Sequence, residues 1–146
     1  MSLVFVETLR GSYFLIEQPD DRRICEVAIH IKVNRIDAKN GEFKAEMGGH
    51  ATFDKLATRA PIAGQTQLMF GRPRQVAYSF ELTADDGRLL QFSGAKHPSL
   101  LRPIYSATTL FGTLSHLGLP MAMVRLQFDL RRDLVAFLQS VARDHQ

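Results

Sequence analysis

The sequence predicts an all-β protein: an antiparallel barrel or half-barrel of about eight strands, calycin-like, with one helix at its C-terminal end. Three observations predict it. Apolar and polar side chains alternate along most of the chain, two-residue turn signals separate the alternating segments, and only one stretch carries apolar residues at helical spacing. The 146 residues form one domain over 1–146. That length is enough to hide about 70% of the unfolded surface.

A first strand is expected over about 4–16. Residues 26–34 then read Glu-Val-Ala-Ile-His-Ile-Lys-Val-Asn. Successive side chains of a strand point to opposite faces, so Val27, Ile29, Ile31 and Val33 share the inner face, and Glu26, His30, Lys32 and Asn34 the outer one. Asn40-Gly41 marks a turn into a strand over about 42–50, with Gly48-Gly49 as the site of a bulge. A short strand follows over 65–70. Residues 75–83 place Val76, Tyr78, Phe80 and Leu82 inward. Asp86-Gly87 then turns the chain back, so that 88–96 pairs with 75–83. Pro98 and Pro103 bracket a loop before a strand over 107–115, and Gly118-Leu119-Pro120 marks the next turn. Residues 123–130 repeat the alternation with Val124, Leu126, Phe128 and Leu130 inward. The helix spans about 132–143, with Leu134, Phe137, Leu138 and Val141 on one face and Asp133 as its cap. Thr8-Leu9-Arg10-Gly11 echoes Thr109-Leu110-Phe111-Gly112, as two similar halves of a pseudo-symmetric barrel would.

Composition narrows the function. Hydrophobic residues make up 45% and charged residues 23% of the chain, as in ordinary globular domains. No apolar run is long enough to span a bilayer as a helix, and Met1–Phe5 carries no secretory pattern. The single cysteine, Cys25, excludes an internal disulfide and fits a cytoplasmic setting. The charge is +3, and the basic clusters at Arg22-Arg23, Arg72-Pro73-Arg74 and Arg131-Arg132 do not form the concentrated stripe of a nucleic-acid binder.

Catalytic and cofactor signatures are missing. No phosphate-cradling Gly-x-Gly-x-x-Gly or Walker loop and no Gly-x-Ser-x-Gly elbow occurs, so no cofactor is expected. The histidines at 30, 50, 97, 116 and 145 have no metal-ligand spacing. Ser93-Gly94-Ala95-Lys96 matches Ser-x-x-Lys, but on a strand its Ser and Lys face opposite ways. Cys25 has no identifiable base beside it. An enzyme built from His97, His116 and Glu7 stays as a weaker alternative.

Several blocks, in order, resemble a known arrangement. They are Phe5-Val6-Glu7-Thr8-Leu9-Arg10-Gly11, the Val27–Val33 strand with Asp37, and Gly48-Gly49-His50-Ala51-Thr52-Phe53-Asp54-Lys55-Leu56. Tyr78-Ser79-Phe80-Glu81-Leu82, Asp86-Gly87-Arg88, Phe92-Ser93-Gly94-Ala95-Lys96 and Thr108-Thr109-Leu110 follow. Together they resemble the β-rich accessory domain of some glucose–methanol–choline oxidoreductases of the cholesterol-oxidase-like type. Leu9 and Asp54-Lys55 depart from that pattern, and the flavin-binding and catalytic portions are absent from this chain. The resemblance implies a non-catalytic module near lipid or sterol metabolism, beside a separate oxidoreductase.

Two functions follow. In the first, the barrel interior binds a hydrophobic, lipid- or sterol-like molecule against Tyr78, Phe80, Phe92, Leu126 and Phe128, with Arg10, Lys96 and Tyr78 as polar anchors at its mouth. In the second, the barrel is solid and docks an oxidoreductase or a second copy of itself. On the purely structural reading of the polar residues, Glu7 or Arg10 pairs across strands with Lys96 or a nearby acid.

Overall fold

The computed structural model describes residues 3–33, 42–69, 75–96 and 109–128. They form eight antiparallel strands: β1 (Leu3–Leu15), β2 (Arg23–Val33), β3 (Glu42–Phe53), β4 (Ala57–Met69), β5 (Gln75–Thr83), β6 (Leu89–Lys96), β7 (Thr109–His116) and β8 (Leu119–Phe128). Each strand pairs with the next, and β8 pairs with β1 over Leu9–Leu15, which closes the barrel. The expected helix over 132–143 lies outside the described residues, as do Asn40-Gly41 and Pro98–Pro103.

The alternation of the sequence becomes the two faces of the wall. Leu9, Tyr13, Val27, Ile29, Phe53, Leu82, Leu90, Phe92, Leu110, Leu114, Val124 and Leu126 are buried, while their strand neighbours Glu26, His30 and Lys32 are exposed. Each fully buried leucine or valine contributes about 1.5–3 kcal/mol of hydrophobic stabilisation. A path perpendicular to the strands from Val4 runs through Lys32, Glu46, Gln65, Ser79, Ser93, Thr113 and Met123. It returns to β1 at Phe14, ten residues further along. That stagger tilts the strands by about 35–45° and gives an interior that side chains fill or that takes one small ligand.

One end of the barrel is closed by its turns. The Tyr13 hydroxyl donates to the Asp54 carbonyl, and its ring meets Phe53 edge-on at 5.4 Å. Asp85 accepts from the amide and hydroxyl of Thr58, both at 3.0 Å, and its own amide donates to the Leu56 carbonyl at 2.9 Å. The 84–88 turn is thereby tied to the 54–56 turn. Asp86-Gly87 turns the chain as expected, with Gly87 at φ +90°.

Three local expectations are corrected. Gly48-Gly49 keeps continuous register with both β2 and β4, and the β3–β4 shift falls instead between Ala51 and Phe53. There the Thr52 hydroxyl accepts from the Arg59 amide at 3.1 Å. The β7–β8 turn is Leu117-Gly118, both at positive φ, and Leu119 and Pro120 already belong to β8. Register is skipped beside Pro120, so its missing N–H falls at a bulge. The echoed blocks lie on β1 and β7, whose hairpins are neighbours joined at the β1–β8 pairing, not opposite halves of the barrel.

Gly11 makes that pairing possible. A Cβ there would overlap the Arg125 backbone carbonyl on β8, whereas one on Gly87 would meet open space. Gly11→Ala is therefore expected to lower the unfolding free energy in urea by about 3 kcal/mol. Gly87→Ala, strained only by its positive φ, should cost about 1 kcal/mol. Equal losses would show that β1 and β8 do not approach this closely.

Candidate functional site

In an eight-strand ring β1 stands opposite β5, and a polar bridge crosses the interior between them. Glu7 lies two residues before the buried Leu9 on β1, so it shares that inner face. Its carboxylate accepts from the Tyr78 hydroxyl of β5 at 3.3–3.4 Å and pairs with the Lys96 ammonium of β6 at 3.6 Å. The ammonium also lies over the rings of Tyr78, at 5.2 Å, and Phe128, at 5.6 Å. The Tyr78 and Lys96 residues are 2% and 7% exposed. This cluster sits toward the end where β6 and β8 finish, away from the closed turns.

Burial penalises the tyrosinate, and the Glu7 carboxylate adds to this, so the Tyr78 hydroxyl is held well above its ordinary pKa. It stays a donor at neutral pH. The wall around it is apolar. The Phe80 and Phe92 rings stack in parallel at 4.6 Å, and Phe92 lies along the wall over Gly112 and Gly94. Leu126 is fully buried on β8. Thr66 faces inward, but its hydroxyl is used within the wall, donating to the Ala77 carbonyl at 3.2 Å.

Six of the seven expected ligand-binding residues, Tyr78, Phe80, Phe92, Lys96, Leu126 and Phe128, lie on the inner face. Arg10 does not join them. Next to the inward Leu9 it must point outward, and it pairs with Glu26 at 3.2 Å on the outer wall. Both partners are more than a third exposed, so that pair contributes less than about 1 kcal/mol. Arg10 instead borders an open outer groove of about 450 Å³ with Ile24, Thr52 and Asp54. The pairings Glu7–Lys96 and Arg10–Glu26 are those the structural reading of the sequence expects.

The other candidates do not converge. Ser93 is exposed and Lys96 buried, on opposite faces of β6. Cys25 faces inward, and burial pushes its thiol up to about 12, which removes the thiolate a nucleophile needs. His116 lies 3.1 Å from the Leu89 carbonyl at the closed end, remote from Glu7. His97, Thr108, His145 and the Arg72 and Arg131 clusters lie outside the described residues. Thr109 is buried, and its hydroxyl has no partner among the described residues. Among the described residues no cluster of His, Cys, Asp or Glu could hold a metal, and no helix is long and apolar enough to cross a membrane.

Comparison with protein-family models, curated proteins and solved structures finds no match to this chain.

Two predictions follow from the bridge. Lys96→Met should cost about 2–4 kcal/mol, because it strands the Glu7 carboxylate inside the wall. Glu7→Gln combined with Lys96→Met should recover most of that loss. Additive losses in urea unfolding would show that the two groups do not interact. In alkaline titration followed by tyrosinate absorbance, Tyr78 should ionise well above pH 10, and Tyr78→Phe should reduce that late rise, to which Tyr13, also raised by burial, contributes the remainder. Stability should fall as pH rises above about 10, because the unfolded phenol ionises while the folded one keeps its proton. A stability flat across that range would contradict the assignment.

Proposed function

We propose that this chain is a non-catalytic binding module whose barrel interior takes a small hydrophobic molecule of lipid or sterol type. The Glu7–Tyr78–Lys96 bridge receives the polar end of that molecule. The observation that carries this reading is the bridge itself: one charged pair and a phenol set into an apolar wall. Ligand sites combine these elements. The separations also leave a gain to be made. Hydrogen bonds to a carboxylate normally close to about 2.5–2.9 Å, and those of Glu7 stand at 3.3–3.6 Å. A ligand oxygen among the three groups restores short contacts. The resemblance to accessory domains of cholesterol-oxidase-like enzymes supplies the lipid or sterol class and a separate oxidoreductase as the partner.

A second reading rests on the closed end. Leu117 is 87% exposed at a left-handed turn position, with Leu119 at 72% and Leu89 and Ile16 nearby on the same rim. Turns of this kind ordinarily take Asn, Asp or Gly. A solid barrel that pairs with a second copy through this rim would use these side chains.

One experiment separates the two. In native mass spectrometry with the neutral apolar dye Nile red, the first reading predicts a monomer that takes up one dye, displaced by dodecanol. Tyr78→Phe should weaken dodecanol several-fold. A dimer that takes up no dye would overturn the first reading in favour of the second.

A further inference from the structure

The charge balance of the bridge says which polar end it accepts. This inference rests on the interior being a binding site. Among the described residues at this level, Glu7 and Lys96 are the two charged groups directed inward. Of the other inward ionisable groups, the Tyr78 and Tyr13 phenols and the Cys25 thiol are neutral at pH 7, and Arg23, beside Tyr13 at the closed end, is paired with Asp21 at 2.8 Å. The ammonium is already matched by one carboxylate, and apolar rings flank it on two sides. A second carboxylate here would lie beside the first in a poorly solvated wall, where like charges repel strongly. An incoming ammonium would meet Lys96 in the same way. A hydroxyl meets neither obstacle. It donates to the Glu7 carboxylate and accepts from the Lys96 ammonium or the Tyr78 hydroxyl, and it brings no net charge.

We propose that Glu7 is the specificity-determining residue of this site, selecting an uncharged, hydroxyl-bearing apolar molecule and excluding fatty acids. Lys96 alone would recruit a carboxylate, and Glu7 occupies that position with the protein's own carboxylate.

The test is a matched series of dodecanol, dodecanoic acid and dodecylamine at pH 7.5, each titrated against the whole chain and read as bound mass in native mass spectrometry. The wild type should bind dodecanol at least about tenfold more tightly than the acid or the amine, the penalty expected of one unmatched charge. Glu7→Gln, with circular dichroism confirming the fold, should reverse the order of alcohol and acid. Dodecanoic acid binding the wild type as tightly as dodecanol would overturn the inference while leaving the interior a binding site. An unchanged alcohol-to-acid ratio in folded Glu7→Gln would do the same. Failure of all three to bind would overturn the binding function and this inference together. The wild-type series decides the question even if the variant does not fold.

Discussion

The seam between β1 and β8 is the constraint on which the rest of this molecule depends. An eight-strand meander has two free edges until its first and last strands meet. Here they meet over Leu9–Leu15, and Gly11 lets the two backbones approach where any side chain would collide with Arg125. Closure also decides where every inward side chain ends up. It places β1 across from β5, which is why a carboxylate seven residues into the chain reaches a phenol more than seventy residues later. In an open sheet Glu7 would stand on an edge strand with water as its partner.

Closure also explains why a charged pair sits in this wall. A lysine among aromatic rings is expensive unless a carboxylate comes with it. The Glu7–Lys96 separation of 3.6 Å is that of an ion pair without a short hydrogen bond. Such an arrangement links β1 to β5 and β6 across the interior, with contacts among the described residues of 3.3–3.6 Å. The closed end shows the contrasting solution. There Tyr13, Phe53 and the Asp85–Thr58 contacts satisfy one another and fill the space. One end of the barrel is plugged by its turns, whereas among the described residues toward the other end the Glu7 contacts stand at 3.3–3.6 Å.

Much of this was legible in the sequence, for physical reasons that differ by element. The strands carrying Val27–Ile31, Tyr78–Leu82 and Val124–Leu126 alternate large apolar side chains with polar ones, so both identity and facing could be read. The first half of β4 could not. Its inward positions include the small Ala57 and Ala60, and Pro61 interrupts the pattern. Pro61 has a strand neighbour on one side only, His50 of β3, because β5 pairs with β4 from Ala63 onward, and prolines are found at such edge positions. The placement of Arg10 shows a different failure. Residue type groups it with Lys96, whereas its position next to Leu9 sends it outward. The same parity sends Glu7 inward, but no spacing rule in a sequence can say that β1 will face β5. Only the stagger of the closed barrel fixes that.

Amide hydrogen exchange followed by NMR tests the closure most directly. If β1 and β8 are bonded along their length, the alternate amides of Leu9–Leu15 and Ala122–Phe128 that point into the seam will be protected to the level of those between β4 and β5. If those amides exchange at nearly the rate of an unpaired edge, the sheet is open, and the bridge from Glu7 to Tyr78 has no basis.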